Sequence, residues 1–155
     1  KNRPGHFEAV VDVMDRFIKI INPSRIFLGE KDFQQLIIIK EFIRTNEIKT
    51  KIVMCPTVRE KNGIAYSSRN YLLSHKQKMI ASNVYKFVAN NKQDLIKKKI
   101  NLSKFKQSLK LIGISKLDYL EIFDMGQLLN KKNIKKKSKI FIAYYLGNIR
   151  LIDNF

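Results

Sequence analysis

The spacing of hydrophobic residues predicts that the first third of the chain alternates helices with strands. Apolar residues recur near the start at intervals of three and four, as in an amphipathic helix, and they are Phe7, Val10, Val11, Met14, Phe17, Ile18 and Ile21. Asn22-Pro23 ends this helix. The apolar run at residues 25–28 predicts a buried parallel strand. Residues 48–55 predict another strand, which Pro56 stops.

A second helix is predicted between these two strands. Asp32 is placed to cap its first turn. The helix is expected to direct an inner face toward the core, formed by Phe33, Leu36, Ile37 and Phe42. The resulting order of helix, strand, helix and strand indicates a piece of an α/β sheet.

The middle of the chain predicts a tight turn and then a long helix. Asn62-Gly63 favours a hairpin whose arms are residues 57–59 and 64–66. Ser74 and Gln77 have the spacing of a capping box, which opens a helix. We expect this helix to end at about Asn90.

The last third predicts a small α+β unit. Its expected elements are a loop at residues 92–101, a helix at 103–112 stopped by Gly113, a strand at 117–123, and a hairpin of 139–146 and 149–152 around Gly147-Asn148. We therefore expect the organisation to change between residues 67 and 73. The predicted domains are residues 1–69 and 70–155.

Composition narrows the classes of protein that fit. The chain has 155 residues, of which 45% are hydrophobic, so it can form one domain or two small ones. No apolar run reaches the roughly 18 residues of a membrane span. Cys55 is the only cysteine, so the chain can form no internal disulfide. These features predict a cytoplasmic protein with no membrane partner.

The net charge of +18 predicts an anionic partner, such as nucleic acid, an anionic lipid or a phosphorylated ligand. The lysines concentrate at residues 97–99 and 131–139. The abundance of Lys, Ile and Asn is also typical of proteins from AT-rich genomes. Because both clusters fall in predicted loops without interleaved aromatic residues, this compositional explanation is favoured over nucleic-acid binding.

Two segments that follow predicted strands carry groups suited to phosphate. Residues 29–35 run into a helix N-terminus, where free N–H groups favour anions, and Lys31 adds a positive charge. Asp32 could hold a metal or cap the helix, and Gln35 lies one turn later. Residues 67–69, Ser-Ser-Arg, offer two hydroxyls and a guanidinium. Taken alone, each segment is equally an ordinary loop beside a helix.

Together these segments resemble the pantothenate synthetase (pantoate–β-alanine ligase) family. The resemblance covers essentially the whole chain, and its motifs are Arg3-Pro4-Gly5-His6-Phe7, residues 27–36, residues 56–60, Ser67-Ser68-Arg69-Asn70, residues 117–121 and residues 146–154. It implies an α/β fold: the C-terminal part of a Rossmann-like nucleotidyltransferase domain, followed by a small α+β domain.

The resemblance also implies the chemistry. Pantoate and Mg·ATP would give pantoyl adenylate, which β-alanine converts to pantothenate and AMP. The ATP-binding residues it implies are Gly29, Glu30, Lys31, Asp32, Val58, Tyr66, Ser67, Ser68 and Arg69. Of these, Lys31, Ser67, Ser68 and Arg69 would be catalytic, and Gln35 would bind pantoate. No protein ligand for a metal is implied. The intact family enzyme is expected to be a homodimer.

Four other residues carry separate expectations and one departs from the family. Arg3 and His6 are further candidates near the substrates, although His6 could equally cap or pack the first helix. Tyr66 stands where the family commonly has Met or Leu. His75 is expected on a helix surface, and Cys55 is expected to be a small core residue.

The family's His-containing loop resembling HIGH has no counterpart in this sequence. The chain is therefore expected to be a C-terminal portion that is inactive alone, with an open sheet edge that could pair with a second copy. The alternative is a stand-alone basic module that binds RNA or anionic surfaces.

Overall fold

Two helices and two parallel strands form the first part of the structure, a computed structural model that describes residues 4–125 and 138–155. The elements are α1 (His6–Ile21), β1 (Arg25–Gly29), α2 (Phe33–Thr45) and β2 (Lys51–Cys55). The strands pair in parallel, from Arg25 opposite Lys51 to Gly29 opposite Cys55. The predicted order of elements is confirmed, although β2 begins three residues later than expected.

The core of this part lies on one face of the parallel pair. It is built from Ile18, Ile39 and Ile43, against which Val10, Met14, Ile26, Leu28, Phe42, Ile48 and Ile52 pack. Successive residues of a strand point to opposite faces. Ile26 and Leu28 therefore meet the helices, while the side chain of Phe27 is 64% exposed. The prediction of a buried strand was correct for one face of β1 only.

The buried face of α2 differs in part from the predicted one. Its buried residues are Phe33, Leu36, Ile39 and Ile43. Phe33 and Leu36 were predicted and are buried, whereas Ile37 and Phe42 are half-buried, and Phe42 packs against the core as predicted. The buried face of α2 therefore includes Ile39 and Ile43, which the prediction from spacing alone omitted.

The remaining elements form a helix pair and an antiparallel sheet. They are α3 (His75–Ile96), α4 (Leu102–Leu111), β3 (Lys116–Asp124), β4 (Ser138–Leu146) and β5 (Ile149–Asn154). The three strands are antiparallel, in the order β3-β4-β5. The predicted α/β class, with a parallel sheet followed by a small antiparallel one, is confirmed. Helix α3 continues to Ile96 instead of stopping at Asn90, because Leu95 is buried and Ile96 packs against the core.

The compact units of the structure divide earlier than residues 69 and 70. One unit ends at Thr57 and the other begins at Val58. The reason is that residues 58–69 are bonded to the second unit. The hydroxyl of Ser82 on α3 donates to the carbonyl of Asn62 at 2.8 Å, and Ile64 belongs to the core that α3 and the antiparallel sheet share.

The two lysine clusters can be compared with the structure only in part. Lys97, Lys98 and Lys99 are exposed directly after α3. Residues 131–137 of the second cluster lie outside the described residues. No helix in the part of the chain that the structure describes is long and apolar enough to cross a membrane.

The burial of Tyr144 on β4 predicts a loss of stability in alkali. Burial raises the pKa of this phenol, and the nearby Asp153 carboxylate raises it further. An unfolded tyrosine ionises near pH ~10, so above that pH the unfolded state binds fewer protons than the native state. The contribution of the Tyr144 phenol to the free energy of unfolding is thus fully present below that pH. Above it, the free energy of unfolding falls by at most about 1.4 kcal/mol per pH unit.

Urea denaturation between pH 8 and 11 measures this effect. Tyr144→Phe should flatten the decline relative to the unchanged chain, whereas Tyr71→Phe, at an 89% exposed tyrosine, should not. Equal slopes for Tyr144→Phe and the unchanged chain would contradict the prediction.

Candidate functional site

The first candidate segment lies at the carboxyl end of β1. Gly29 is the last residue of this strand, Glu30–Asp32 form one 3₁₀ turn, and α2 starts at Phe33. A side chain built on Gly29 would meet nothing within 4 Å, so the backbone is open to an incoming group. The dipole of a helix favours an anion at its N-terminal end.

Asp32 does not cap α2 as predicted. It occupies the N-cap position, but its side chain forms no capping hydrogen bond. Its ψ angle of 56° departs from the extended backbone that N-cap residues adopt. The Asp32 carboxylate is therefore exposed beside the start of the helix.

Lys31 and Gln35 flank this helix start. Lys31 is half-buried in the 3₁₀ turn, and Gln35 is half-buried in the first turn of α2. Phe33 and Leu36, which begin the same helix, are both buried. The structure thus brings Gly29, Glu30, Lys31, Asp32 and Gln35 together at one strand end.

The second candidate segment is built on the tight turn predicted at Asn62-Gly63. A bridge joins Arg59 to Ala65, and the N–H of Tyr66 donates to the carbonyl of Val58 at 3.0 Å. Gly63 has a φ of +91°, and a Cβ there would lie 2.1 Å from the ring of Tyr85. Only glycine fits this position.

This hairpin places two predicted nucleotide-binding residues side by side. Val58 and Tyr66 are bonded through their backbones, and both side chains are exposed. They stand at the open end of the turn, directly before the Ser-Ser-Arg residues.

Ser67 organises the residues that follow it. Its Oγ accepts a hydrogen bond from the N–H of Arg69 at 3.2 Å, and its carbonyl accepts one from the N–H of Asn70 at 3.0 Å. The bond at Oγ uses a lone pair, which leaves the Ser67 O–H to donate to a ligand. Ser68 is exposed and Arg69 is half-buried, within a 3₁₀ turn over Ser68–Leu72. These are the donor types that bind phosphate oxygens.

Two residues that support this segment belong to the family motifs but were not predicted as site residues. Asn70 is 4% exposed, and its Nδ2 donates to Glu60 Oε1 at 2.6 Å and to the carbonyl of Ala65 at 3.1 Å. Their sequence signals were membership of these motifs and position: Glu60 lies in the turn, and Asn70 directly follows Arg69.

The other sequence-based candidates have simple structural surroundings. His6 is the first residue of α1, with its ring 5.4 Å from that of Phe7. His75 is exposed at the start of α3, and Cys55 is half-buried at the end of β2. Arg3 lies outside the described residues. Within residues 4–125 and 138–155, no three His, Cys, Asp or Glu side chains are grouped as metal ligands.

Comparison with known proteins identifies the family. The sequence model of the pantoate–β-alanine ligase family matches residues 1–155. The chain belongs to this family. The match confirms the resemblance found in the sequence.

Individual relatives agree with this assignment. A pantothenate synthetase from Ruminiclostridium cellulolyticum is 36% identical over 159 residues, covering 99% of this chain and 56% of that protein. One from Flavobacterium psychrophilum is 39% identical over 158 residues, with the same coverage. The chain therefore spans about half the length of the curated relatives it matches.

Solved structures of pantoate–β-alanine ligases have the same fold. The enzyme from Francisella tularensis, in complex with β,γ-ATP and β-alanine, has a TM-score of 0.78 and 35% identity, covering 99% of this chain and 51% of that one. The pantothenate synthetase from Thermus thermophilus has a TM-score of 0.82 and 28% identity, covering 99% of this chain and 56% of that one.

Proposed function

We propose that this chain supplies ATP- and pantoate-binding residues to a ligase that joins pantoate to β-alanine. In the first step a carboxylate oxygen of pantoate attacks the α-phosphorus of Mg·ATP, giving pantoyl adenylate and releasing pyrophosphate. The amine of β-alanine then attacks the acyl carbon, and AMP leaves as pantothenate forms. The observation that carries this proposal is the family match along residues 1–155.

The catalytic roles follow from the charge that develops in the first step. Pyrophosphate gains negative charge as it leaves, and Lys31, Ser67, Ser68 and Arg69 offer donors that stabilise it. The hydroxyl of Ser67 is already aligned by the N–H of Arg69. The pantoate carboxylate is itself nucleophilic, so no general base is required for adenylation.

Binding roles are proposed for the remaining predicted residues. Gly29, Glu30 and Asp32 contribute to ATP binding at the start of α2, and Val58 and Tyr66 contact the nucleotide. Gln35 orients pantoate so that its carboxylate meets the α-phosphorus in line. The magnesium ion is part of the Mg·ATP substrate. A structure of the Francisella tularensis relative with β,γ-ATP and β-alanine supports these substrate classes.

We further propose the domain organisation and setting. Residues 1–69 belong to the Rossmann-like nucleotide-binding domain of the family, and residues 70–155 to its small α+β domain. Residues 58–69 thus serve nucleotide binding while being packed with the second compact unit. The intact enzyme is proposed to be a cytoplasmic homodimer.

Calorimetric titration and an activity assay test the proposal on the 155-residue chain. Mg·ATP should bind, and pyrophosphate should displace it. A coupled AMP-release assay with pantoate and β-alanine should show no turnover by the chain alone, because charge stabilisation needs a complete set of preorganised donors. The relatives that it matches contain substantially more residues.

Two outcomes would contradict parts of this proposal. Turnover at the rate of a full-length family enzyme would refute the inactivity of the isolated chain. Failure to bind ATP, together with salt-dependent binding of a random-sequence RNA, would refute the proposed function and favour the basic-module alternative.

A further inference from the structure

We propose that Glu60 is a positioning residue that holds the phosphate-binding residues 67–69 in shape through the buried side chain of Asn70. This inference rests on the proposed function, because it assigns Glu60 a role in the same nucleotide-binding segment. Glu60 itself belongs to the tight turn that precedes the segment, and its effect is transmitted by hydrogen bonds.

The contact between the two side chains is short and partly buried. Asn70 Nδ2 donates to Glu60 Oε1 at 2.6 Å, and Asn70 is 4% exposed. The same Nδ2 donates to the carbonyl of Ala65 at 3.1 Å. Both protons of the Asn70 amide are thereby directed at the turn, and hydrogen bonds to charged groups are the stronger kind.

Both side-chain oxygens of residue 60 must accept hydrogen bonds. Glu60 Oε2 accepts a second hydrogen bond from Asn62 Nδ2 at 3.2 Å. The Asn62 amide cannot be reversed without loss, because its Oδ1 accepts the N–H of Ile64 at 3.0 Å. A carboxylate satisfies both donors, whereas the amide of glutamine offers one acceptor and one competing donor.

The orientation of Asn70 is fixed by the same logic. Reversing its amide would place Oδ1 against the Glu60 carboxylate and the Ala65 carbonyl, which are both acceptors. In the observed orientation Oδ1 is buried without a hydrogen-bond donor among the described residues. An unpaired buried acceptor is unfavourable. The two bonds from Nδ2 therefore outweigh this cost.

Anchoring Asn70 fixes the residues that precede it. The N–H of Asn70 donates to the carbonyl of Ser67, and the N–H of Arg69 donates to Ser67 Oγ. A 3₁₀ turn of five residues has little stability of its own. The turn that carries Glu60 is itself held, since the Ser82 hydroxyl donates to the Asn62 carbonyl at 2.8 Å. The chain of bonds thus runs from α3 through Glu60 to Ser67.

Glu60→Gln tests this role, with Glu121→Gln as the matched control at an exposed position of β3 in the same unit. Calorimetry measures the affinity for Mg·ATP and for AMP. Glu60→Gln should weaken Mg·ATP binding about tenfold, the equivalent of one lost charged hydrogen bond, and should weaken AMP binding less. Glu121→Gln should leave both affinities unchanged.

Amide hydrogen exchange measured by NMR gives a readout that does not depend on nucleotide. In Glu60→Gln the amides of Arg69 and Asn70 should exchange about tenfold faster, while those of β3, β4 and β5 keep their rates. If Glu60→Gln does not fold, Asn70→Ala removes the same bond from the other side, and the same two measurements apply.

The outcomes separate this inference from the proposed function. If the unchanged chain binds Mg·ATP and the Glu60→Gln chain binds it equally well, the positioning role is refuted and the proposed function stands. Uniformly faster exchange throughout the second unit would also refute it, because Glu60 would then contribute only general stability. If neither the unchanged chain nor its variants bind Mg·ATP, the proposed function fails. The amide exchange rates of Arg69 and Asn70 then decide whether Glu60 holds residues 67–69 in shape.

Discussion

Replacement of Arg59 by alanine is expected to lower the free energy of unfolding of the second unit by about 3–5 kcal/mol, the usual cost of removing one partner from a buried ion pair. Arg59 Nη1 and Nη2 donate to the two carboxylate oxygens of Asp153 at 2.7 and 2.9 Å. The side chains are 21% and 11% exposed. Without Arg59, the Asp153 carboxylate would remain mostly buried and uncompensated.

The surroundings of the Arg59 guanidinium add to this cost. It donates to the carbonyls of Gly63 at 3.0 Å and Asn154 at 3.2 Å. Its Cζ lies 4.5 Å from the ring centroid of Tyr85 and 5.4 Å from that of Phe155, so cation–π attraction contributes. Lysine cannot reproduce this planar set of donors. Arg59→Lys should therefore recover little of the lost stability.

Urea denaturation followed through the NMR amide signals of β4 measures the effect in the second unit. Lys99→Ala is the control, since it breaks an ion pair with Asp94 whose two side chains are 66% and 52% exposed. Exposed pairs contribute at most about 1 kcal/mol. If Arg59→Ala cost no more than Lys99→Ala, the bonds to Asp153 could not be what joins residues 58–69 to this unit.

Replacement of Arg69 by alanine is expected to weaken Mg·ATP binding by about 10- to 100-fold, the equivalent of 1.5–3 kcal/mol for hydrogen bonds between charged groups. The half-buried side chain starts from a 3₁₀ turn whose backbone is bonded to Ser67. A guanidinium held in this way can bind two phosphate oxygens at once, which lysine cannot do. Arg69→Lys should therefore retain only part of the affinity.

Calorimetry with Mg·ATP and AMP distinguishes a phosphate contact from a general effect of charge. Lys61→Ala is the matched control, because Lys61 is exposed in the neighbouring turn and its loss changes the net charge of +18 by the same amount. Equal weakening by Arg69→Ala and Lys61→Ala would show that net charge governs binding. A loss for Mg·ATP that exceeds the loss for AMP would support a contact with the β- or γ-phosphate.

Sequence signals correctly predicted the helix ends and turns that are formed by residues close together in the chain. Asn22 adopts a left-handed conformation directly before Pro23, so α1 ends where these residues require it. The capping box of Ser74 and Gln77 forms as its spacing predicts, with both reciprocal hydrogen bonds present. Gly147 closes the last hairpin with a φ of +59°. Each of these features depends on residues within a few positions of one another.

Predictions were wrong where contacts distant in sequence decide the outcome. Residues 92–101 are polar and basic enough to suggest a loop, but burial of Leu95 keeps residues 92–96 in α3. The exposure of Phe27 depends on which face of β1 the helices cover. The failure of Asp32 to cap α2 is local instead: it has the right residue type and position, but its backbone angles of φ −94° and ψ 56° are not the extended ones of an N-cap residue.

The sequence by itself determined the order of helices and strands, the family, and which residues are candidates for binding ATP and pantoate. These follow from periodicity, capping residues and motifs that are contiguous in the chain. Only the tertiary structure decided how the second candidate segment is held. Arg59 and Asp153 are 94 positions apart, and a single sequence gives no sign that they pair. Glu60 and Asn70 are connected by a partly buried hydrogen bond that depends on the fold of the turn between them.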